Sequence, residues 1–329
     1  MKIERLPLAP ALLVDQQPLR RSARWHGAEY AFWCAPVAAF FLFPDNLVLL
    51  SQILITALFA LSLDLILGYA GIVSLGHAAF FGVGAYAAGL MAVHGHGDPL
   101  IGLLVGGLAA AVLGVLAGLL LLRGSVNMTR LLVTLGVGLM LYEAANKMNS
   151  VTGGADGLQG MVVQPLLGVF EFDIFGRTSY LYSLAVLFLL FCMLRRLVHS
   201  PFGLSLRGIH QNAQRMPALG VPVKWRLLAA YIVAAAVAGV AGALLAQTTQ
   251  FVTIEVLGFQ RSAELMLIVI LGGAGRLYGA LIGSAIYILA HHLLSDIDPQ
   301  FWQFWLGALL LLVVLFGRGG ILGLLGGRK

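Results

Sequence analysis

The sequence predicts an all-α, polytopic membrane protein of about ten transmembrane helices, and three observations carry that prediction. The first is composition: 60% of the 329 residues are hydrophobic and 10% are charged, with a mean hydropathy of +0.94. Soluble domains run near 45–50% apolar and about 25% charged. The second is that the apolar residues fall in runs close to the roughly 20 residues a helix needs to span a bilayer. The third is that most of the 41 glycines lie inside those runs, where small residues let helix backbones approach closely. A soluble enzyme and a disordered chain are both excluded. So is a nucleic-acid-binding domain, despite the net charge of +6.

In chain order the runs are Ala28–Pro44, Asn46–Leu67, Ile72–Val93, Pro99–Leu122, Val126–Met148, Ser179–Leu194, Leu227–Gln247, Ser262–Leu271, Leu277–Leu294 and Gln300–Phe316. Cytoplasmic loops carry the excess of Lys and Arg. With the N-terminus inside, 17 of the 20 Lys and Arg fall on inside segments, and only Lys147, Arg177 and Arg261 fall outside. The outside loops hold Asp45, Asp98, Asp156, Glu171, Asp173, Asp296 and Asp298. This alternation predicts cytoplasmic tails over 1–27 and 318–329 around a transmembrane domain at 28–317. The basic tail is too long for a signal peptide, and no small-residue cleavage site follows Phe43, so the first span is expected to stay. Cys34 and Cys192 lie far apart without a CxxC partner, which points to neither a disulfide nor a zinc site. His94 and His96 in one loop are too few for a metal site, and none is expected.

Packing is legible in the spacing of small residues. Gly102, Gly106, Ala110, Gly114 and Gly118 recur every four positions along the fourth run. Ala235, Gly239 and Ala243, with Ala238, Gly242 and Ala246, make two stripes on the seventh, and Gly275, Gly279 and Gly283 repeat near the ninth. Such stripes are seams for close helix crossings.

Polar features then single out residues for function. Gly68-Tyr69-Ala70-Gly71 interrupts an apolar stretch and is followed by Ser74 and His77. It reads either as a helix broken at membrane depth, where unwound backbone can ligate a solute, or as a tight turn between two spans. The pattern recurs as Leu271-Gly272-Gly273-Ala274-Gly275, a short internal likeness. Charged groups inside a membrane are costly and mark function by default. Asp64, four residues before the first break, is expected to line a polar path or to pair with a neighbouring hydroxyl or backbone group. Glu264 beside Arg261 sits at an outer mouth, and Glu143 is expected to pair with Lys147. The pathway candidates are therefore Asp64, Gly68, Tyr69, Gly71, Ser74, His77, Glu264, Gly272, Gly273 and Gly275.

Between the sixth and seventh runs, His199–Arg226 carries Arg207, Arg215, Lys224 and Arg226, with Pro201, Pro217 and Pro222 bracketing a short helix near Gly203–Met216. Leu206, Ile209, Ala213 and Met216 form its apolar stripe, opposite Arg207, Gln211, Gln214 and Arg215. The helix is expected to lie at the membrane surface, with its polar face toward a partner or toward lipid headgroups. No GxxxxGK[ST] loop, HExxH or GxSxG occurs, so neither ATP binding by that loop nor those hydrolytic centres is predicted.

The stretch LSLDLILGYAGIVSLGHAAFFGVGAYAAGL resembles the hallmark of LivM-type permeases, the membrane subunits of branched-chain amino-acid ABC transporters. RGIHQNAQRMPALGV leading into LLAAYIVAAAVAGVAGALLAQ, then QRSAELMLIVILGGAGRLYGALIG and LFGRGGILGLL, extend the likeness from about Asn46 to Leu325. The resemblance implies a bacterial inner-membrane permease, not an enzyme, that translocates branched-chain amino acids or a related small polar solute. It implies four partner subunits besides the bilayer: a homologous second permease, two cytoplasmic ATP-binding subunits and a periplasmic solute-binding protein. ATP would be bound by the partners, with no cofactor in this chain. It also implies that His199–Arg226 is the ATPase-coupling segment, on Arg207, Gly208, His210, Gln211, Gln214, Arg215, Leu219 and Gly220. Asp64 stands where the family usually has Asn, and His210, Gln211 and Pro217 also depart from its pattern. Urea and short-amide permeases share the scaffold. An ion-coupled carrier using Asp64, or an intramembrane enzyme using Asp64 and His77, are the readings from other classes.

Overall fold

Each apolar run marked in the sequence contains a helix, and among the described residues a further helix lies between the sixth and seventh, besides single-turn helices at Asn149–Thr152 and Ile321–Leu325. The computed structural model describes residues 27–123, 127–316 and 320–325. The cations Lys2, Arg5, Arg20, Arg21, Arg24, Arg318, Arg328 and Lys329 lie outside the described residues. The helices are α1 (Gly27–Leu42), α2 (Leu47–Asp64), α3 (Ala78–Val93), α4 (Pro99–Arg123), α5 (Asn127–Lys147) and α6 (Arg177–Val198). They continue with α7 (Pro201–Asn212), α8 (Val223–Thr249), α9 (Phe259–Gly272), α10 (Leu277–Ile297) and α11 (Trp302–Phe316). Among the described residues, extended pairing is confined to the isolated bridges Leu158–Val252 and Leu166–Phe170. Six helices are long and apolar enough to cross a membrane, namely α2 continued to Tyr69, α4, α5, α6, α8 and α10, while α1 and α3 are shorter apolar helices.

The bundle is organised around α2 and α8. α8 packs along α4, α3 and α2; α2 packs against α10 and α6, and α9 against α10. The small-residue stripes explain the closest of these crossings. Gly102 faces Gln247, Gly106 faces Ala243, Gly114 faces Ala235 and Gly118 faces Leu228, an antiparallel register along the whole α4–α8 seam. The second stripe of α8 meets α3, where a Cβ at Gly242 would collide with the Phe81 carbonyl. Gly279 and Gly283 of α10 abut the backbone of α9 in the same way. On the other side of α4, Leu104, Leu108, Val112 and Leu116 are exposed, a ridge suited to lipid rather than water.

The loops sort to two ends. At one end Gln164 N–H bonds the Gly97 carbonyl at 2.9 Å and Leu158 N–H bonds Val252 O at 2.8 Å, joining the loops after α3, α5 and α8. At the other end lie α7, the residues after α2 and the α9–α10 connection. There Arg195 of α6 reaches Glu29 of α1 at 2.8 Å and the Tyr278 hydroxyl of α10 at 3.3 Å. Phe32 sets its edge on the Tyr278 ring, with centroids 5.1 Å apart. This cluster ties α1, which has a thin interface, to the bundle.

Three details differ from the sequence expectation. The third helix starts at Ala78 instead of Ile72, because the chain after Tyr69 is held in non-helical contacts described below. The short surface helix runs Pro201–Asn212, not Gly203–Met216: Ser200 Oγ caps the Phe202 N–H, and Asn212 Oδ1 accepts from the N–H of Gln214 and Arg215, turning the chain. Ala213 is consequently exposed instead of lying on the buried stripe. Glu143 is exposed and, among the described residues, is not paired with Lys147.

Replacing Arg195 with Met removes its ion pair with Glu29 and its hydrogen bond to the Tyr278 hydroxyl. The expected result is a loss of about 3 kcal/mol, read as a lowered melting temperature of the detergent-solubilised protein.

Candidate functional site

The last turn of α2 is not α-helical. Leu65–Tyr69 widens into a π turn, a distortion found often at functional sites. Ile72 N–H closes back on Ile66 O at 2.8 Å, and Gly71 takes a left-handed φ of +71° that a side chain would strain. The chain then runs without helix through Ile72–Gly76, with Ile72, Ser74, Gly76 and His77 buried. The interruption is an irregular, largely buried connection that begins at the α7 end of the bundle.

An irregular segment inside an apolar bundle exposes backbone groups that need partners. Neighbouring helices supply several. Ser262 Oγ of α9 accepts the Ala78 N–H at 2.9 Å, serving the start of α3 in the place of a local cap. Thr134 Oγ1 of α5 accepts the Leu75 N–H at 3.3 Å. His77 Nε2 and Ser62 Oγ are 2.8 Å apart, and the His77 ring stacks on Phe59 with centroids 5.7 Å apart.

The second glycine segment ends α9. Gly273 and Gly275 have φ of +105° and +80°. The two segments touch. Gly275 N–H donates to Asp64 Oδ1 at 2.6 Å, and a Cβ at Gly68 would overlap both Gly275 N and Asp64 Oδ1. Asp64 is fully buried, and its Oδ2 has no hydrogen-bond partner among the described residues. Its observed place is a clamp between two chain breaks. The short LGYAG/LGGAG likeness therefore corresponds to two turns packed against each other.

α7 lies against the same junction. Its buried stripe is Leu206 and Ile209. The Arg207 guanidinium lies over the Tyr69 ring at 5.1 Å from its centroid. His210 Nδ1 donates to the Gly68 carbonyl at 3.1 Å, and the His210 ring fills the space beside Gly71. Gly208 packs on Met216, and Gly220, with a φ of +76°, closes the Met216–Leu219 turn. Gln211, Gln214, Arg215 and Leu219 are exposed, as are Leu204 and Trp225. This surface of α7 and the following turn combines cations with large apolar groups.

Glu264 is apart from this junction. It lies roughly 12 Å of helix rise before Gly272, in an ion pair with Arg261 at 3.3 Å and accepting from Gln260 Nε2 at 3.2 Å. Asp64, Gly68, Tyr69, Gly71, Gly272, Gly273 and Gly275 gather around the two breaks, whereas Ser74 and His77 lie further along the irregular segment, His77 beside Ala78, whose N–H reaches Ser262 two residues before Glu264. Asp64 and His77 hold separate partners, Gly275 and Ser62. Sequence reading missed Ser62, Thr134 and Ser262, the hydroxyls that serve the first break. Each is an ordinary polar residue in an apolar run, with no local signal of what it would meet.

A family model described as the branched-chain amino acid transport system / permease component matches residues 47–314. The chain belongs to this family. It is 27% identical over 293 residues to the high-affinity branched-chain amino acid transport system permease protein LivM of Escherichia coli K12, covering 82% of this chain and 68% of that protein. The LivM protein of Salmonella typhimurium matches with the same figures. The probable branched-chain amino acid transport permease protein LivM of Methanocaldococcus jannaschii is 24% identical over 314 residues, 80% of this chain and 89% of that protein. No solved structure matches.

The clamp makes a separable prediction about Asp64. Asp64→Asn keeps an oxygen for the Gly275 N–H and should hold stability to within about 1 kcal/mol, while Asp64→Ala strands that N–H and should cost about 2 kcal/mol. Thermal unfolding of the two purified variants beside wild type measures both.

Proposed function

We propose that this chain is the membrane permease subunit of an ATP-driven importer for branched-chain amino acids or a related small polar solute. It works with a homologous second permease, two cytoplasmic ATP-binding subunits and a periplasmic solute-binding protein. The chain crosses the bacterial inner membrane ten times with both ends inside, the transmembrane domain occupying 28–317 between tails at 1–27 and 318–329. Family membership and the clustering of loops at two ends support this topology, with α7 at the cytoplasmic end. The chain itself carries out no covalent chemistry, and nucleotide is bound by the ATPases.

The single observation that carries the reading is α7 within the coupling segment 199–226. One side of it is fastened to the first glycine break through Arg207 and His210, while another side is exposed. A partner that grips the exposed side and closes on ATP moves α7, and α7 moves Gly68–Gly71. The Asp64–Gly275 hydrogen bond passes the displacement to the α9–α10 connection, so both breaks shift together. That is the two-state behaviour an alternating-access permease requires.

Two measurements test this. Purification of the tagged chain from its native membrane should recover a second permease and ATP-binding subunits. A chain that purifies alone and moves solute down an ion gradient would instead identify a secondary carrier. In the reconstituted complex Arg207→Glu replaces the cation over Tyr69 with an anion. Uptake should fall roughly tenfold, the loss of one cation–ring contact, while ATP hydrolysis persists. Normal coupling in this variant would remove α7 from the transmission path.

A further inference from the structure

The end of the bundle opposite α7 holds a second polar arrangement, built on the first turns of α9. Arg261 and Glu264 are ion-paired at 3.3 Å, both side chains partly buried. The guanidinium leans over the Phe81 ring at 5.9 Å, and Gln260 holds the second carboxylate oxygen of Glu264 at 3.2 Å. Both charges are thereby held in place from behind. Two cavities adjoin them. The larger, about 710 Å³, has Tyr142, Val256 and Phe259 in its wall; the smaller, about 380 Å³, is lined by Gln52 and Thr56 of α2 and Tyr287 of α10. Arg261 and Glu264 line both cavities. The pair stands in the partition that the two cavities share, together with Leu245 and His291.

Partly buried charges are costly unless each stays paired. A ligand that enters the partition therefore has to replace what each charge loses. An amine satisfies Glu264 and leaves Arg261 unpaired, and a carboxylic acid does the reverse. An uncharged amide replaces neither ionic contact. A molecule with an ammonium and a carboxylate on one carbon satisfies both at once, the carboxylate on the guanidinium fork and the ammonium on Glu264. Leu245, which lines both cavities, and Val256 offer apolar wall for an alkyl side chain.

We propose that Arg261 and Glu264 are the recognition site for the head group of a zwitterionic α-amino acid, Arg261 taking its carboxylate and Glu264 its ammonium. The proposal rests on the import reading above and narrows its solute to amino acids, away from urea and short amides.

Saturation-transfer NMR on the purified complete transporter, without its binding protein, tests the site using leucine, isoamylamine, 4-methylpentanoate and urea as probes. Leucine should bind, and each single-charge analogue should bind roughly tenfold more weakly, the loss of one charge-assisted contact. Arg261→Gln should weaken leucine by a similar factor while sparing isoamylamine, which has no carboxylate. Glu264→Gln should weaken leucine while sparing 4-methylpentanoate. The spared analogue also reports that the variant is folded, a selectivity that a purely structural ion pair would not produce. If Arg261→Gln fails to assemble, Arg261→Lys should retain leucine binding with the charge preserved. Unchanged leucine affinity in both Gln variants, or urea binding as well as leucine does, would overturn the site. ATP-dependent leucine uptake by wild-type proteoliposomes supplied with binding protein is a separate readout. Its absence sinks the import reading, whereas its presence with unaffected variants sinks only the site.

Discussion

A backbone that leaves helical geometry inside an apolar bundle must find its hydrogen bonds from somewhere other than water. The rest of the structure depends on how that constraint is met between Leu65 and Ala78. Ser262 comes from α9, Thr134 from α5, and His210, which covers the Gly68 carbonyl, from α7. Asp64 in turn serves the backbone of the second break. Because the partners belong to different helices, the break joins parts of the bundle that otherwise have modest contact. A shift of α7 alters the partners of Gly68 directly and those of Gly275 through one carboxylate.

The glycine content serves two distinct ends. Along α4 and α8 it removes side chains so that two long helices lie in close antiparallel contact, and dispersion over that seam replaces the hydrophobic drive that lipid does not supply. At Gly68 and Gly275 it removes side chains so that two irregular turns can touch, and at Gly275 it also permits the left-handed backbone. The first use yields a rigid wall. The second yields a joint whose geometry no larger residue tolerates. The two ends of α9 consequently differ in character: polar side chains facing cavities at Arg261 and Glu264, bare backbone packed on backbone at Gly272–Gly275.

Much of this was legible in the sequence, and what was legible shares a property. Helix positions, the seams on α4 and α8, and the amphipathic character of α7 all follow from the spacing of apolar and small residues along one helix. The family followed from the LSLDLILGYAG and RGIHQNAQRMPALGV stretches, which are local strings. Asp64 stood out because a carboxylate is rare in such a run. What it bonds to did not, since Gly275 lies 211 positions away. The expected Glu143–Lys147 pair followed from helical spacing alone, and exposed side chains are free to adopt other rotamers.

By itself, then, the sequence determined the class of protein, the order of its helices and the faces they bury, because helix periodicity and transfer free energy act over a few residues at a time. Only the tertiary structure decided that the LGYAG and LGGAG turns meet, that α7 holds the first of them, and that Glu264 pairs with Arg261 apart from both. Those outcomes hang on which buried backbone group finds which side chain across the bundle. Such a match is settled by distance in three dimensions, and leaves no mark in the local pattern of residues.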